Sequence, residues 1–293
     1  MGMRVVIDTN RLQSEELHLF LSGDRDNRAV LPEHTVTEIF KPNSADEVVA
    51  SFPVLRDFPK QIVLLHSNRK AARLSPRGGA LADRLIDRET TRKLPKFFEV
   101  LTKAAAGHDG YLRQLNQRRT WALEREQMVQ GSFSDQRESL ANLSAMFTDH
   151  ELRQIRSGQF SARACEAMLQ VTQGTADWAQ IQVTGYALHP PPYLYYQFTW
   201  RYVLCHVIQL MILLQKGATQ RAPKKARNDH FDNVFATYGT YFNGLMTEDR
   251  GALLTKLIAR NFLGALGVRL ATDYVESEYI LGLLDQVMDE ASR

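Results

Sequence analysis

The chain has 293 residues, of which 44% are hydrophobic and 24% charged, so it has ample apolar material for a globular core. Its formal net charge of +3 is too small to indicate a nucleic-acid partner by itself. The length fits one large domain or two small ones.

Three features bear on the cellular compartment and on membrane association. Cys165 and Cys205 lie in apolar helical surroundings without a partner at metal-ligand spacing, which predicts free thiols in a reducing compartment. The N-terminal apolar run is short and contains Asp8, so it does not resemble a secretory signal. The longest apolar stretch, 203–214, is shorter than the roughly 20 residues that a membrane span needs. We therefore predict a cytoplasmic protein with no membrane partner.

The first part of the chain alternates between strands and helices. Residues 3–8 predict a buried strand and residues 11–22 a short helix. Val30-Leu31-Pro32 leads into a helix over 33–40, because Pro32 and Glu33 suit a first helical turn. Residues 61–66 predict a second buried strand, and the segment after it is polar and basic.

The middle of the chain changes character. Residues 81–222 contain several long segments of helical periodicity and no convincing strand, so we predict an all-α insertion subdomain there. Three consecutive prolines at 190–192 form a stiff connector within this region.

The alternating pattern then returns. We predict, in order, a helix over 229–238, a strand over 242–247, a helix over 250–264, a strand over 267–272 and a terminal helix over 276–290. The predicted fold class is α/β, with a central parallel sheet flanked by helices. One discontinuous domain would comprise 1–80 and 223–293, and the helical insertion 81–222.

Acidic residues recur where this fold places ligands. Asp8 ends the first strand, and the strand over 242–247 runs into Glu248 and Asp249. Ligands of open α/β sheets bind at the carboxyl ends of the strands. Further acids lie on predicted helices: Glu38, Asp229 and Asp232. Acids converging from distant segments repel each other, and a hard divalent cation with oxygen ligands relieves that repulsion.

Each acid also has a purely structural interpretation. Asp8 and Asp249 can cap the helices that follow them, and Glu38 can be a solvated helix residue. Asp229 and Asp232 share one helix face and can both complement the helix dipole. Taken singly, these acids leave the capping and metal-binding interpretations open.

The order of the acids along the chain resembles that of the PIN-domain nucleases. The resemblance covers roughly 3–66 and 228–275 and depends on four segments: Val6-Ile7-Asp8-Thr9-Asn10, Leu31-Pro32-Glu33 with Thr37-Glu38, Asn228-Asp229 with Asp232, and Leu245-Met246-Thr247-Glu248-Asp249. The chain departs from the family in its middle, where a compact PIN domain has only a few short helices. That insertion could cover, gate or retarget the site.

The resemblance implies a site that holds one or two Mg²⁺ or Mn²⁺ ions and hydrolyses phosphodiester bonds, most often in RNA. It implies that Asp8 and Asp249 are metal ligands and that Asp229 or Asp232 completes the set. Glu38 would bind a second ion or orient the attacking water. Asn10 and Thr247 would fix the carboxylates by hydrogen bonds.

A nucleic-acid substrate needs cations beside such a site. The candidates are the basic residues before the late helix and those after the strand over 61–66, which equally suit solvated loops: Lys224, Lys225, Arg227, Arg69, Lys70, Arg73 and Arg77. A run of aromatic residues after the prolines can stack bases or pack the helical core: Tyr193, Tyr195, Tyr196, Phe198 and Trp200.

Three functions compete. The first is a divalent-metal-dependent endoribonuclease, in a toxin or phage-defence role. The second is a non-catalytic PIN-like scaffold whose insertion binds a regulatory protein partner, and a homo-oligomer is open in either case. The third is a haloacid-dehalogenase-like phosphatase, which Asn10 disfavours because that family has a second Asp two residues after the first. No Gly-rich phosphate loop is present.

Overall fold

The chain is an α/β protein built on a parallel sheet. In the computed structural model the described residues are 2–40, 45–50, 52–76, 81–130, 136–218 and 223–274. Their strands are β1 (Arg4–Ile7), β2 (Arg28–Leu31), β3 (Ile62–Leu64) and β4 (Leu245–Met246). The strands are all parallel and lie in the order β3-β2-β1-β4, which confirms the predicted fold class at this level.

Helices cover both faces of this sheet, as parallel sheets require. In the described residues they are α1 (Glu15–Gly23), α2 (Glu33–Ile39), α3 (Ala45–Ala50), α4 (Pro53–Asp57), α5 (Asn68–Arg73), α6 (Leu81–Leu85), α7 (Arg88–Arg92), α8 (Leu94–Ala105), α9 (Asp109–Gln130), α10 (Gln136–Ser144), α11 (Asp149–Arg156), α12 (Ala162–Thr184), α13 (Phe198–Gln215), α14 (Pro223–Gly239) and α15 (Arg250–Ala265).

Alternation along β1 divides the core into two layers. Val5 and Ile7 pack with α1, α8 and α9 on one face of the sheet. Val6 lies on the other face, where it packs against Val234 and Phe235 of α14. Successive side chains of a strand point to opposite faces, and both faces of this sheet are covered. Val5, Val6 and Ile7 are therefore all buried.

The helical middle region contributes to several hydrophobic clusters. Leu94, Phe98 and Leu101 of α8 pack under the sheet together with Val5 and Ile7. The apolar helix α13 forms a third cluster with α10–α12 and with Ala259 of α15. By length and composition α13 is the one described helix that passes as a membrane span, and 78% of it is buried inside the protein. That burial is expected of the predicted core helix.

Two strand predictions need correction. β2 lies where no strand is predicted, because Val30 and Leu31 are predicted only to lead into α2. The strand predicted over 267–272 is wrong: the segment forms no strand, and its carbonyl groups accept from side chains instead. Asn243 Nδ2 donates to the Thr272 carbonyl at 2.9 Å, and Arg260 donates to that of Ala271. The helix predicted over 276–290 lies outside the described residues.

Candidate functional site

Asp8 lies at the carboxyl end of β1, in the middle of the sheet edge. Its side chain is 7% exposed and accepts three hydrogen bonds. Two come from close in sequence, the Thr9 backbone N–H at 2.6 Å and Asn10 Nδ2 at 2.9 Å. The third comes from Thr247 Oγ1 at 2.6 Å, which follows the neighbouring strand β4. The carboxylate is therefore held in place from two strand ends.

Thr247 links Asp8 to Asp249. Its hydroxyl oxygen accepts from the Asp249 backbone N–H at 2.9 Å while its O–H donates to Asp8. The Asp249 side chain caps α15 by accepting from the Ala252 N–H at 2.8 Å, and it remains exposed. Asn10 closes the same corner, because its Oδ1 accepts from the Glu248 N–H at 3.3 Å. The capping interpretation of Asp249 is correct and leaves one of its oxygens outside the cap.

Glu38 approaches from the other side of β1. It lies on α2, which directly follows β2, the second neighbour of β1 in the sheet. The Thr9 hydroxyl donates to Glu38 Oε2, and His34 Nε2 lies 3.3 Å from its Oε1. Thr9 thus joins Glu38 to the corner that holds Asp8.

Asp229 and Asp232 lie on α14, which packs across β1. Asp229 is 4% exposed, and Asp232 is largely buried but less completely so than Asp229. Among the described residues Asp232 has no hydrogen-bond or ion-pair partner. A largely buried carboxylate without such a partner is uncommon, because burial of an unpaired charge costs several kcal/mol.

The acids share one electrostatic neighbourhood. Burial and, after it, the negative charges of Asp249, Asp8, Asp229 and Glu38 together raise the pKa of Asp232 to about 8. Burial also raises the pKa of Asp8, against the lowering effect of its bonds from Thr247 and Thr9. The structure therefore brings together the acids that the sequence singles out.

The donor set fits a hard divalent cation in chemistry and charge, because it consists of carboxylate oxygens around a poorly compensated negative potential. Its spacing is looser than that of a finished metal site. Within the described part of the chain, no group of three or more His, Cys, Asp or Glu side chains is close enough to hold an ion as it stands. An ion would have to draw the carboxylates together.

The predicted basic residues are only partly described. Arg69 and Arg73 lie exposed on α5, which follows β3 at the same edge of the sheet, and Arg73 Nη2 is 3.5 Å from the Val183 carbonyl. Lys224, Lys225 and Arg227 lie on the first turns of α14, but their side chains fall outside the described residues, as does Arg77.

A layer of polar side chains where α14 packs against α2 and α13 was not predicted: the half-buried His34, Tyr202, His206 and His230 and the buried Gln209 and Asn233. The His34 ring stacks on Phe231 with centroids 3.4 Å apart, and Tyr202 Oη lies 2.6 Å from His230 Nδ1. Burial, with smaller contributions from His34 and His206, lowers the pKa of His230 to about 3. The available signal is the polar pair His206 and Gln209, one helical turn apart in the most apolar helix. This layer orients the helix face that carries the acids.

Comparison with known proteins yields no relative. No family model, no curated protein and no solved structure matches the chain significantly.

Proposed function

We propose that the chain is a divalent-metal-dependent nuclease on a PIN-like α/β domain, and that it cleaves RNA internally. Support comes from the carboxyl edge of the sheet, where acids from β1, α2, α14 and the start of α15 lie around Asp8. The elements arrive in the chain order expected of that family.

The single observation that carries this proposal is the environment of Asp232. It is largely buried, it has no hydrogen-bond or ion-pair partner among the described residues, and other carboxylates surround it. A folded protein tolerates such a group when a ligand compensates it, and functional sites are where such perturbed acids concentrate. A cation is the ligand whose charge compensates these carboxylates.

The hydrogen bonds around Asp8 suit the work of a cation ligand. Asn10 and Thr247 hold the Asp8 carboxylate in one orientation, while Thr247 also fixes the turn that carries Asp249. Thr9 restrains Glu38. When bound, a Mg²⁺ or Mn²⁺ ion lowers the pKa of a coordinated water, which makes that water a nucleophile toward a phosphodiester.

The substrate would approach along the same edge of the sheet. Arg69, Lys70 and Arg73 on α5 are exposed there, and they carry the positive charge that a phosphate backbone requires. The helical region 81–222 borders this face through the contact of Arg73 with Val183 at the end of α12. We infer that this region limits which nucleic-acid substrates reach the acids.

A second candidate is a non-catalytic scaffold with the same fold, whose helical region binds a protein partner. The observation in its favour is the absence, within the described residues, of a ready-spaced group of metal ligands. The two candidates differ in whether the acids act on a phosphodiester.

The test is a cleavage assay on single-stranded RNA and DNA with Mn²⁺, comparing wild type with Asp8→Asn. We expect RNA cleavage that a chelator abolishes and that Asp8→Asn reduces by about 1000-fold or more, because the variant removes a charged ligand. Asp57→Asn, an exposed acid on α4, is the matched control and should cleave like wild type.

Equal cleavage by wild type and Asp8→Asn would show that the acid edge is not the active site. Absence of cleavage in the wild type, with folding verified by circular dichroism, would favour the scaffold.

A further inference from the structure

A cavity lies at the opposite end of α14 from the acids. Its volume is about 530 Å³, and it lies where Tyr193, Tyr196 and Arg201 meet Thr240, Tyr241 and Arg269. The amino edge of the sheet is nearby, since Asn243 donates to the carbonyl of Arg4 at 2.7 Å. Cavities of roughly 300–1,000 Å³ with a few convergent polar groups are typical of small-ligand sites.

Arg201 is the buried charge of this cavity. It is 2% exposed, its Nε donates to the Tyr195 carbonyl at 2.7 Å, and its Nη1 donates to the carbonyl and hydroxyl of Thr240 at 2.9 and 3.2 Å. These contacts use the donors of Nε and Nη1 and leave Nη2 without an acceptor among the described residues. No described carboxylate lies within ion-pair distance of Arg201. A buried guanidinium in this state has two donors to offer to an anion.

The walls add aromatic surface and a second positive charge. The Arg201 guanidinium carbon lies 4.0 Å from the centroid of Tyr241, whose hydroxyl donates to the Tyr196 carbonyl at 2.9 Å. Tyr193 is 41% exposed at the rim. Arg269, also lining the cavity, is exposed, whereas none of the described residues that line it is acidic. The cavity therefore combines positive charge with flat aromatic surfaces.

From this juxtaposition we propose that the cavity binds a nucleoside monophosphate, either free or as the 5′-phosphorylated end of a strand. The phosphate is held by Arg201 and Arg269, and the base lies against Tyr193 and Tyr196. Arg–phosphate recognition uses paired N–H donors, and aromatic rings stack on any base. The site is separate from the acid edge and does not depend on nuclease activity.

The test is calorimetric titration of the full chain with AMP and UMP, with the matching nucleosides, with inorganic phosphate, and with a 5′-phosphorylated oligonucleotide and its unphosphorylated form. We expect a monophosphate or phosphorylated end to bind at least about tenfold more tightly than its unphosphorylated counterpart, since a charge-assisted pair is lost without phosphate. Tighter binding of the oligonucleotide than of AMP or UMP would identify the strand end as the ligand.

Two variants test the assignment of residues. Arg201→Gln should weaken binding by about tenfold or more, and Arg269→Glu should do the same from an exposed position that leaves the fold intact. Arg156→Glu on α11 makes the same change of charge elsewhere and should bind like wild type. Asp8→Asn should also bind like wild type, which separates this site from the proposed nuclease centre.

Absence of binding by the wild type at about 1 mM ligand would overturn the proposal. So would binding that Arg269→Glu leaves unchanged, which decides the matter even where Arg201→Gln does not fold.

Discussion

The two ends of the sheet differ in whether their buried acids have cationic partners. At the amino edge Asp273 accepts from Lys256 Nζ at 2.8 and 3.0 Å and lies 3.2 Å from Arg260 Nε. Lys256 is fully buried, so this carboxylate is compensated by protein charges. At the carboxyl edge Asp232 faces other acids and has no described cation beside it. The first arrangement is complete, whereas the second lacks positive charge.

This difference separates a structural ion pair from a candidate site. The Asp273 group fastens the segment 268–274 to α15, and Gly244, with φ +123°, leaves room for its carboxylate where a Cβ would collide. Nothing remains for a ligand to do there. The acids around Asp8 are fixed in place yet electrostatically strained, which is the arrangement expected of a site prepared for an ion.

Asp273→Asn should produce the largest change in stability. It leaves Lys256 and Arg260 buried without a counter-charge, and breaking such a group costs about 3–5 kcal/mol of unfolding free energy. Urea unfolding measures it. Glu89→Gln is the control: it breaks an exposed ion pair between Glu89 of α7 and Lys93, and it should leave the urea concentration at the unfolding midpoint unchanged. A loss below about 1 kcal/mol for Asp273→Asn would mean that the group is not the anchor described here.

Asp232→Asn should stabilise the protein, in contrast to Asp273→Asn. A raised pKa means that the folded state holds the proton more tightly than the unfolded state. Wild-type stability therefore falls as the pH rises from the ordinary value of 3.8 toward about 8. In chelator the variant should be more stable than wild type by a few kcal/mol at pH 8 and equal to it below pH 4.

Urea unfolding of both proteins across this pH range checks the prediction. A variant less stable than wild type at pH 8 in chelator would show that Asp232 is already compensated. Added Mn²⁺ should reduce the advantage of the variant, because the wild type binds the ion more tightly and gains more stability from it.

Thr247→Val should have the smallest effect and should act on activity. The variant keeps the shape of the side chain but loses the O–H donor to Asp8 and the acceptor for the Asp249 N–H. Loss of such an orienting hydrogen bond reduces metal-dependent activity by about tenfold. Cleavage rates over a Mn²⁺ series would show it, with most of the loss recovered at high Mn²⁺. Thr184→Val, at the end of α12, is the control and should cleave like wild type.

Part of this arrangement could be predicted from the sequence. β1 and the placement of Asp8 follow from an apolar run that ends in an acid, and Glu38 follows from the helix that Pro32 starts. β2 could not be predicted because three consecutive buried residues before a proline show neither strand nor helix periodicity. The strand predicted over 267–272 fits the apolar pattern of Val268 and Leu270, but pairing with side chains replaces a sheet ladder there.

The remaining parts depend on tertiary contacts that no local pattern records. The role of Thr9 in restraining Glu38 depends on α2 folding back over the end of β1. Arg201 is a single charge in an apolar helix, and its place in a cavity depends on the packing of the end of α14 and of the tyrosines around it. The polar layer of His206 and His230 likewise requires α13 and α14 to pack side by side.

The most direct test of the central claim is calorimetric titration of Mn²⁺ into wild type, Asp232→Asn, Asp8→Asn and the Asp57→Asn control at neutral pH. The account predicts binding to wild type and control with a Kd below about 1 mM, and binding at least about tenfold weaker in the two site variants. Failure of the wild type to bind, or equal binding by all four proteins, would contradict the claim that the acids around Asp8 form a cation site.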